Sequence, residues 1–406
     1  MKKKINSSMQ YSYYMYRNRK NQKKKIALII GIFLFIVINI YLKKFYNPTV
    51  KNEKFLLSKD VKDFEQNDIS FDIHKEVPII RGLYIPAHKA NNLDKIVEIA
   101  NTTEINSFII DVKDDSGYLT FASHNEVLLE AGSIRKNPKI TDINVLMDTL
   151  YRNNIYPIAR IVVFKDNVVD ANFPERMVLS KNGEVYVNKS EETWLNPYDT
   201  NNWEYILEIC KEAILVGFKE IQFDYIRFHE SMNSSTVDLP TDISRTQIIT
   251  DFVDFMVENL EPYGVSLGAD VFGTIITSKA DAAIIGQDYK EFVKKLDSVC
   301  PMIYPSHYGR GSFGQEFPDL NPYEIIFSAL KVSNEVIRQI PIEERKAKII
   351  PYLQDFTATW ITPHQEYTAI EIREQIQAVY DAILNDWILW NGAANYTKEA
   401  LEAEIY

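Results

Sequence analysis

Two aspartates follow apolar runs of the sequence and are of a residue type that can carry acid–base chemistry. Asp224 comes after Gln222 and Phe223, and Asp270 comes after Gly268 and Ala269. Cleavage of a glycosidic bond needs two carboxyl groups with separated pKa values. One protonates the leaving oxygen, while the other attacks the carbon or activates a water molecule. The sequence therefore offers Asp224 and Asp270 as a candidate catalytic pair.

Further polar side chains occupy matching positions in neighbouring runs. Because side chains alternate between the two faces of a strand, Gln222 should share its inward face with Asp224. The same alternation places Asp111 with Lys113, and Arg160 is expected beside Asp224. A nearby cation lowers a carboxylate pKa, so Arg160 would keep Asp224 ionised. The alternative is a purely structural network in which Asp111–Lys113 and Asp224–Arg160 are ion pairs that fill the mouth of the fold.

The element that must position these residues is a strand, and eight short β-branched or aromatic runs recur along the chain. Helical stretches separate most of them, which is typical of parallel βαβ units and predicts a closed (β/α)₈ TIM barrel. The runs are Val77–Pro86, Ile105–Lys113, Ile155–Phe164, Lys219–Phe228, Val265–Gly273, Val299–Tyr304, Lys348–Phe356 and Trp387–Ala393. Such barrels carry their chemistry at the C-terminal ends of the strands. The carboxylates of strands two, four, five and seven should therefore ring one pocket, Asp355 being the last.

Aromatic residues accompany polar ones in three predicted loops. Trp194 lies in the loop after strand three, His307 after strand six, and Trp360 after strand seven. Exposed aromatic rings stack on the apolar faces of sugars, while polar neighbours bind the hydroxyl groups. The alternative is that these rings only pack the loops onto the barrel. The other candidates for substrate binding at strand ends are Arg227, Tyr304, Gln354, Trp390 and Asn391.

The first 76 residues differ from the rest of the chain. Residues 1–25 are basic, and residues 26–42 form an uncharged apolar run that is just long enough to span a bilayer as a helix. The positive-inside rule places the basic flank in the cytoplasm and the remainder outside the cell. The run lacks a following small-residue cleavage site, which favours an uncleaved signal anchor over a signal peptide. Residues 43–76 are polar and are predicted to be a linker before a barrel domain of residues 77–406.

Composition excludes some classes of protein. The net charge is −11, and many of the basic residues lie in the first fifty positions, so the predicted barrel is acidic and unsuited to nucleic acid. Two cysteines, Cys210 and Cys300, both lie in apolar patterns and are predicted to be buried free thiols. No cluster of cysteine and histidine indicates a metal, and no nucleotide-binding glycine motif is present. We therefore predict neither a metal nor a cofactor.

Five segments resemble a bacterial family of glycosyl hydrolase-like domains whose activity is inferred from fold relatives. They are Ile80–Tyr84, Phe108–Asp115, Gln222–Phe228, Gly268–Gly273 and Met302–Tyr308, and Phe-Asp-Tyr-Ile-Arg-Phe at 223–228 is the most specific. The resemblance covers about residues 77–395. It implies a TIM barrel distantly similar to α-amylase-like and other glycosidases, and it implies a reaction class without a substrate.

The resemblance also suggests roles for individual residues. In amylase-like barrels the nucleophile is an aspartate at the end of strand four, which Asp224 matches. The acid/base at the end of strand five is usually glutamate, and here the matching residue is Asp270. A stabilising aspartate follows strand seven, where Asp355 or the more inward of Gln354 and Asp355 corresponds.

This chain departs from the amylase pattern at one position. Gln222 stands two residues before the nucleophile, where that pattern has arginine, so Arg160 or Arg227 would have to supply the positive charge. Other barrel glycosidases take their acid from strand six, where Tyr304 and His307 are the candidates.

These inferences predict a membrane-anchored extracellular glycoside hydrolase that acts on a polysaccharide. Adjacent strands lie about 4.8 Å apart. That spacing is nearer to the ~5–5.5 Å carboxylate separation of retaining enzymes than to the wider gap of inverting ones. Two alternatives stay open. One is a cell-surface barrel that binds glycan without cleaving it, and the other is a metal-assisted hydrolase that uses Asp111, Asp224 and Asp270.

Overall fold

The computed structural model describes residues 77–402, which form a closed barrel of parallel strands. The strands are β1 (Arg81–Ile85), β2 (Ser107–Lys113), β3 (Tyr156–Val162), β4 (Glu220–Asp224), β5 (Ser266–Phe272), β6 (Ser298–Met302), β7 (Lys348–Ile349), β8 (Tyr352–Gln354) and β9 (Trp387–Trp390). They pair in the order β5-β4-β3-β2-β1-β9-β8-β6-β7, and β5 also pairs with β6, which closes the sheet. The predicted (β/α)₈ barrel is confirmed.

The seventh barrel position holds two short strands instead of one. The sequence predicts a continuous strand over Lys348–Phe356, but β7 ends at Ile349 and β8 begins at Tyr352. Pro351 lies between them, and proline has no N–H to donate to a neighbouring strand. Both pieces pair with β6, so the interruption leaves the order of the barrel unchanged.

Helices cover the outside of the barrel. They are α1 (Asp94–Thr102), α2 (Glu126–Glu130), α3 (Ile143–Arg152), α4 (Thr200–Val216), α5 (Arg245–Leu260), α6 (Lys279–Ile285), α7 (Tyr289–Lys295), α8 (Pro322–Arg338) and α9 (Ala369–Asp381). Thr368 and Glu371 form a capping box at the start of α9, so the first-turn N–H groups of that helix are bonded. Pro322 opens α8, where its missing N–H costs nothing.

Below the strand ends, the interior of the barrel holds an apolar cluster beside a few buried polar side chains such as Glu220 and Gln222. Ile109, Ile158, Ile350 and Ile388 are fully buried there together with Cys300. Cys210 is buried outside this cluster, in α4. Both cysteines are free, which confirms the predicted buried thiols. The apolar floor fixes the strands rigidly, and this rigidity is what holds the polar side chains above it in place.

The predicted membrane anchor (residues 26–42) and linker (residues 43–76) lie outside the described residues. Within residues 77–402, no helix is long and apolar enough to cross a bilayer.

Candidate active site

Arg160 lies at the centre of a charged cluster at the C-terminal end of the barrel. Its Nη1 is 2.8 Å from Asp111 Oδ1, and its Nη2 is 2.7 Å from Asp224 Oδ2. Its Nε also donates to Asp224 Oδ2 at 2.8 Å, so two N–H groups of the guanidinium bind one carboxylate. The predicted contact between Arg160 and Asp224 is therefore present, with Asp111 as a second partner.

Strand register explains this meeting. Arg160 pairs with Asp111 on β2 and with Gln222 on β4. Its guanidinium extends toward the C-terminal end of β4, where it contacts Asp224. Tyr84 of β1 completes the cluster by donating from its hydroxyl to Asp111 Oδ2 at 2.9 Å. Burial raises the pKa of Asp111, although the charge of Arg160 opposes the shift.

Asp224 and Asp270 lie in step on neighbouring strands. β4 and β5 pair Gln222 with Gly268 and Phe223 with Ala269, and Asp224 and Asp270 are the next residues of each strand. Both side chains therefore point inward at the same level of the barrel. The two predicted carboxylates are brought together, in surroundings that differ.

Asp270 is the member of this pair whose surroundings favour the neutral acid. It is 2% exposed, and its Oδ1 has no hydrogen-bond partner among the described residues. Burial, followed by repulsion from Asp224, raises its pKa well above the ordinary range of an aspartic acid. Asp224 is held instead by Arg160 and by the backbone N–H of Tyr225 at 2.6 Å. One carboxyl group therefore favours the neutral acid while its neighbour is paired with a cation.

A cavity of about 630 Å³ opens above the cluster. Arg160 and Asp224 lie at its base, Trp390 lines it from β9, and Tyr304 lines it from the segment after β6. Asp270 is 2% exposed and is not one of the lining residues. The volume is that of a site for one or a few sugar rings.

One wall of the cavity carries Arg227. Its Cζ lies 4.3 Å from the centre of the Phe272 ring, and its Nη1 is 3.2 Å from Glu230 Oε2. All three residues line the cavity. Arg227 therefore presents its cation to the cavity, and its ion-pair partner is Glu230, whereas Asp224 pairs with Arg160.

Aromatic side chains form a row from the cavity to the surface. Tyr304 is buried and its ring centre lies 5.2 Å from that of His307. His307 is 6.5 Å from Trp360, which stacks on Phe356 at 5.9 Å. Trp360 is 66% exposed, so its indole ring is open to a ligand. We call Tyr304, His307, Phe356 and Trp360 the aromatic row.

Trp194 differs from the expectation of an exposed sugar-binding ring. It is 1% exposed and packs against Tyr225 and His229 at 5.8 and 5.4 Å. The hairpin around Gly183 and the segment after it fold back over the barrel, and this burial removes the indole from solvent. Trp194 is buried against Tyr225, so it packs its loop onto the barrel and does not offer a ring to a sugar.

Lys113 does not pair with Asp111. A bulge shifts the register of β2, so that Lys113 is opposite Ile161, whose side chain points away from the barrel axis. Lys113 is fully buried and forms an ion pair with Asp166 at 2.8 Å. The simple alternation of faces that predicted the position of Lys113 fails at the bulge. Lys113 is therefore a structural residue outside the cavity, paired with Asp166.

The candidates of strand seven lie outside the cavity, so Asp355 does not join the other carboxylates. Asp355 accepts hydrogen bonds from the backbone and side chain of Thr397, and burial raises its pKa to about 6. Gln354 accepts from the backbone and hydroxyl of Ser306 and so fixes the loop after β6. Asn391 donates to the carbonyl oxygens of Asp355 and Asn395. All three hold loops around the strand ends.

Sequence reasoning missed Asp115 as a site residue. It lines the cavity, and its Oδ2 lies 3.4 Å from Arg160 Nη1 while its Oδ1 lies 3.7 Å from Lys165 Nζ. Burial alone would raise the pKa of Asp115, but the charges of Arg160 and Lys165 lower it. Asp115 lies two residues after the end of β2, and this position at a strand end could have indicated a site residue.

Tyr225 was also missed. It lines the cavity and has a φ of 50°, a left-handed conformation that aromatic residues seldom adopt. The conformation turns its N–H back onto Asp224. Strained backbone of this kind clusters at functional sites.

Within residues 77–402, no group of three or more His, Cys, Asp or Glu side chains is arranged to hold a metal ion. The metal-assisted alternative therefore has no candidate centre in the described part of the chain.

A parallel barrel with paired carboxylates below a sugar-sized cavity is the architecture of many glycoside hydrolases. Comparison with protein families makes this specific. The family described as "Putative glycosyl hydrolase domain" matches residues 82–396, and the chain belongs to that family. Among curated proteins, none matches the sequence.

A solved glycoside hydrolase domain shares the fold. The glycoside hydrolase domain of PgaB (BpsB) from Bordetella bronchiseptica is 13% identical, with a TM-score of 0.57 over 80% of this chain and 100% of that chain. A hypothetical protein from Ruminiclostridium thermocellum is 37% identical, with a TM-score of 0.43 over 47% of this chain and 97% of that chain. The spore cortex-lytic enzyme SleL of Bacillus megaterium is 12% identical, with a TM-score of 0.45 over 80% and 74%.

Proposed function

We propose that this protein is a membrane-anchored extracellular glycoside hydrolase that cleaves a polysaccharide. One observation carries the proposal: Asp224 and Asp270 lie in step on adjacent strands, with one held by a cation and the other favouring its neutral form. Two carboxyl groups in contrasting environments are what acid–base cleavage of a glycosidic bond requires. Membership of the glycosyl hydrolase-like family supports the same class.

In this proposal Asp224 is the nucleophile or the stabiliser of positive charge. It reaches the base of the cavity, and Arg160 and the Tyr225 N–H fix its orientation. Asp270 is the general acid, because its raised pKa favours the protonated form that an acid needs. Strands about 4.8 Å apart favour the ~5–5.5 Å spacing of a retaining enzyme.

Asp270 does not line the cavity, so the identity of the acid needs its own test. Asp115 and Glu230 reach the cavity and are the competing donors. The family resemblance alone does not decide between them, since barrels host many chemistries.

The aromatic row supports a sugar polymer as the substrate. An exposed indole such as Trp360 stacks on the apolar face of a pyranose ring, and the row continues inward to Tyr304 at the cavity. A ligand that follows the row would extend beyond one sugar unit. The apolar run at residues 26–42, with its basic flank, supports a single membrane anchor with the barrel outside the cell.

The test is release of reducing ends by the full-length chain in detergent from a panel of bacterial wall, capsular and secreted polysaccharides. Asp224→Asn, Asp270→Asn, Asp115→Asn and Glu230→Gln are assayed beside the parent. We expect activity in the parent and a loss of at least about a hundredfold in Asp224→Asn and Asp270→Asn. Asp115→Asn and Glu230→Gln should each retain a larger share of the activity.

An Asp270→Asn variant with full activity would refute its role as the acid and leave Asp115 or Glu230 in that role. If the parent and Asp224→Asn both bind a polymer and neither cleaves it, the protein is a cell-surface glycan-binding barrel.

A further inference from the structure

The most exposed large apolar side chains of residues 77–402 lie at one end of the barrel. In decreasing order of exposure they are Ile383 (86%), Tyr151 (83%), Leu215 (78%) and Ile342 (76%). Each belongs to the last turn of a helix or to the connection that leads from a helix into the next strand. They therefore share the N-terminal end of the barrel, opposite the cavity.

The same pattern extends to other connections at this end. Ile79 precedes β1 and Tyr263 precedes β5, and both are about half exposed. Six of the eight segments that lead into barrel positions thus carry an exposed large apolar residue. Scattered single residues of this kind are normal on protein surfaces, but their repetition around one end of a barrel is not explained by packing. We call this end the apolar face.

A shallow groove joins part of the apolar face. Tyr151 borders it together with Met147, Leu150, Pro157 and Pro78, and its volume is about 500 Å³. The lining is mainly apolar side chains from the segments before β1, β3 and β4. The exposed residues on this side therefore form part of a continuous surface.

Basic side chains stand among these apolar ones. Arg152 follows Tyr151, Lys219 lies four residues after Leu215, and Lys346 and Lys348 follow Ile342. All four are exposed, although Arg152 pairs with Asp148, Lys346 pairs with Asp297, and Glu343 and Glu344 are exposed beside them. Apolar side chains that insert into lipid, flanked by long cationic side chains that reach the headgroups, are typical of interfacial membrane contacts.

We propose that the apolar face lies on the membrane surface, with the cavity pointing away from it. The inference rests on the membrane anchor of the proposed function. The described chain enters the barrel at this face, where Val77 O accepts a hydrogen bond from Lys348 Nζ at 3.1 Å. A chain tethered through residues 26–42 would present this face to lipid at high effective concentration, so a weak contact suffices.

The proposal defines the direction of substrate access. A barrel that lies on its N-terminal end holds Asp224 and Trp360 toward the space outside the membrane. The substrate would then be a polymer of the wall or outer layers, and membrane lipids would not reach the cavity.

The test uses the full-length chain in vesicles of phosphatidylethanolamine and phosphatidylglycerol. Leu215→Cys and Ile383→Cys carry an environment-sensitive dye, and Val187→Cys is the matched control, because Val187 is about half exposed in the hairpin on the cavity side. Cys210 and Cys300 are buried, so they stay unlabelled in the folded protein and react only if a variant unfolds. Quenching by lipids with a nitroxide near the headgroup reports contact with the bilayer.

We expect several-fold stronger quenching at positions 215 and 383 than at position 187. Equal quenching at the three positions, in protein that floats with the vesicles, would overturn the docked orientation and leave the anchor intact. Protein that does not float would remove the anchor and this inference together. A dye response that depends on protein concentration and not on nitroxide lipid would indicate a second copy of the chain on this face, and would also overturn the proposal.

Discussion

Arg160 is a buried cation whose charge is shared among three carboxylates. It is 2% exposed and contacts Asp111, Asp224 and Asp115. Removing one partner from a buried ionic cluster leaves the others without compensation, which costs far more than loss of a surface pair. Arg160 therefore supports both the fold and the ionised state of the site.

We predict that Arg160→Gln destabilises the protein by roughly 3–5 kcal/mol and abolishes hydrolysis. Arg160→Lys keeps the charge but loses the two-pronged contact with Asp224, so it should be intermediate in both properties. Urea denaturation and the reducing-end assay measure the two effects. The matched control is Arg152→Gln, because Arg152 pairs with Asp148 on the surface and its loss should change stability by less than about 1 kcal/mol. Equal losses in Arg160→Gln and Arg152→Gln would contradict this account.

At the residue scale, the sequence predicts a contact wherever simple alternation holds. Arg160 and Asp224 meet as expected, because β3 and β4 pair without interruption. Lys113 does not meet Asp111, because a bulge in β2 changes the face on which it lies. A bulge of this kind leaves no clear mark in the sequence, since both registers bury the same apolar residues.

At the scale of elements, the segments after β5 and β6 approach each other closely at Gly273. A Cβ at this position would lie 2.8 Å from the carbonyl oxygen of Met302 and 2.8 Å from Ile303 Cγ2. Real Cβ atoms are essentially never so close to backbone, so one segment would have to move. Both segments line the cavity through Thr274 and Tyr308.

Gly273→Ala should therefore destabilise the protein by roughly 1–3 kcal/mol and reduce hydrolysis by displacing the cavity wall. Thermal unfolding and the reducing-end assay provide the measurements. Gly309→Ala is the control, because Gly309 follows β6 in the same region and a Cβ there would meet no atom within 4 Å. That variant should unfold near the parental temperature. A Gly273→Ala protein with parental stability and activity would show that the two segments are free to separate.

The strands were predictable from the sequence, whereas the course of the long loops was not. The eight runs of β-branched and aromatic residues place the strands, and hence the strand ends that carry Asp111, Asp224 and Asp270. The long loops were not predictable, because their course depends on tertiary packing. Trp194 and Trp360 look alike in sequence, yet one is buried behind Tyr225 and the other is exposed on the aromatic row.

At the scale of the whole molecule, the barrel interior contains a buried acid that links stability to pH. Glu220 is fully buried near the start of β4. Its Oε1 accepts from Ser298 Oγ at 2.9 Å, and its Oε2 has no hydrogen-bond partner among the described residues. Burial raises the pKa of Glu220 from 4.5 to about 7. Glu220 is enclosed within the sheet and bonded to Ser298 of β6, so its ionisation affects the global free energy of unfolding.

The folded chain therefore binds more protons than the unfolded chain between pH 4.5 and about 7. The stabilisation from protonated Glu220 is complete below 4.5 and is lost as the pH rises through 7, by on the order of 3 kcal/mol. The raised pKa of Asp270 acts in the same direction. Glu220→Gln removes the contribution of Glu220 to the pH dependence of stability and leaves that of Asp270. Its free energy of unfolding should fall less steeply with pH and exceed that of the parent above pH 7.

Urea denaturation of the parent and Glu220→Gln at a series of pH values between 4.5 and 8.5 measures this difference. Glu343→Gln is the control, because Glu343 is exposed in the connection before β7, and its curve should run parallel to that of the parent. Parallel curves for the parent and Glu220→Gln would show that Glu220 stays ionised in the folded barrel, through water that reaches its free oxygen. Curves that diverge as the pH rises, with Glu220→Gln the more stable above pH 7, would show that the closed sheet keeps the Glu220 carboxylic acid neutral. The proposed function requires the same physical condition of Asp270, toward the opposite end of the barrel.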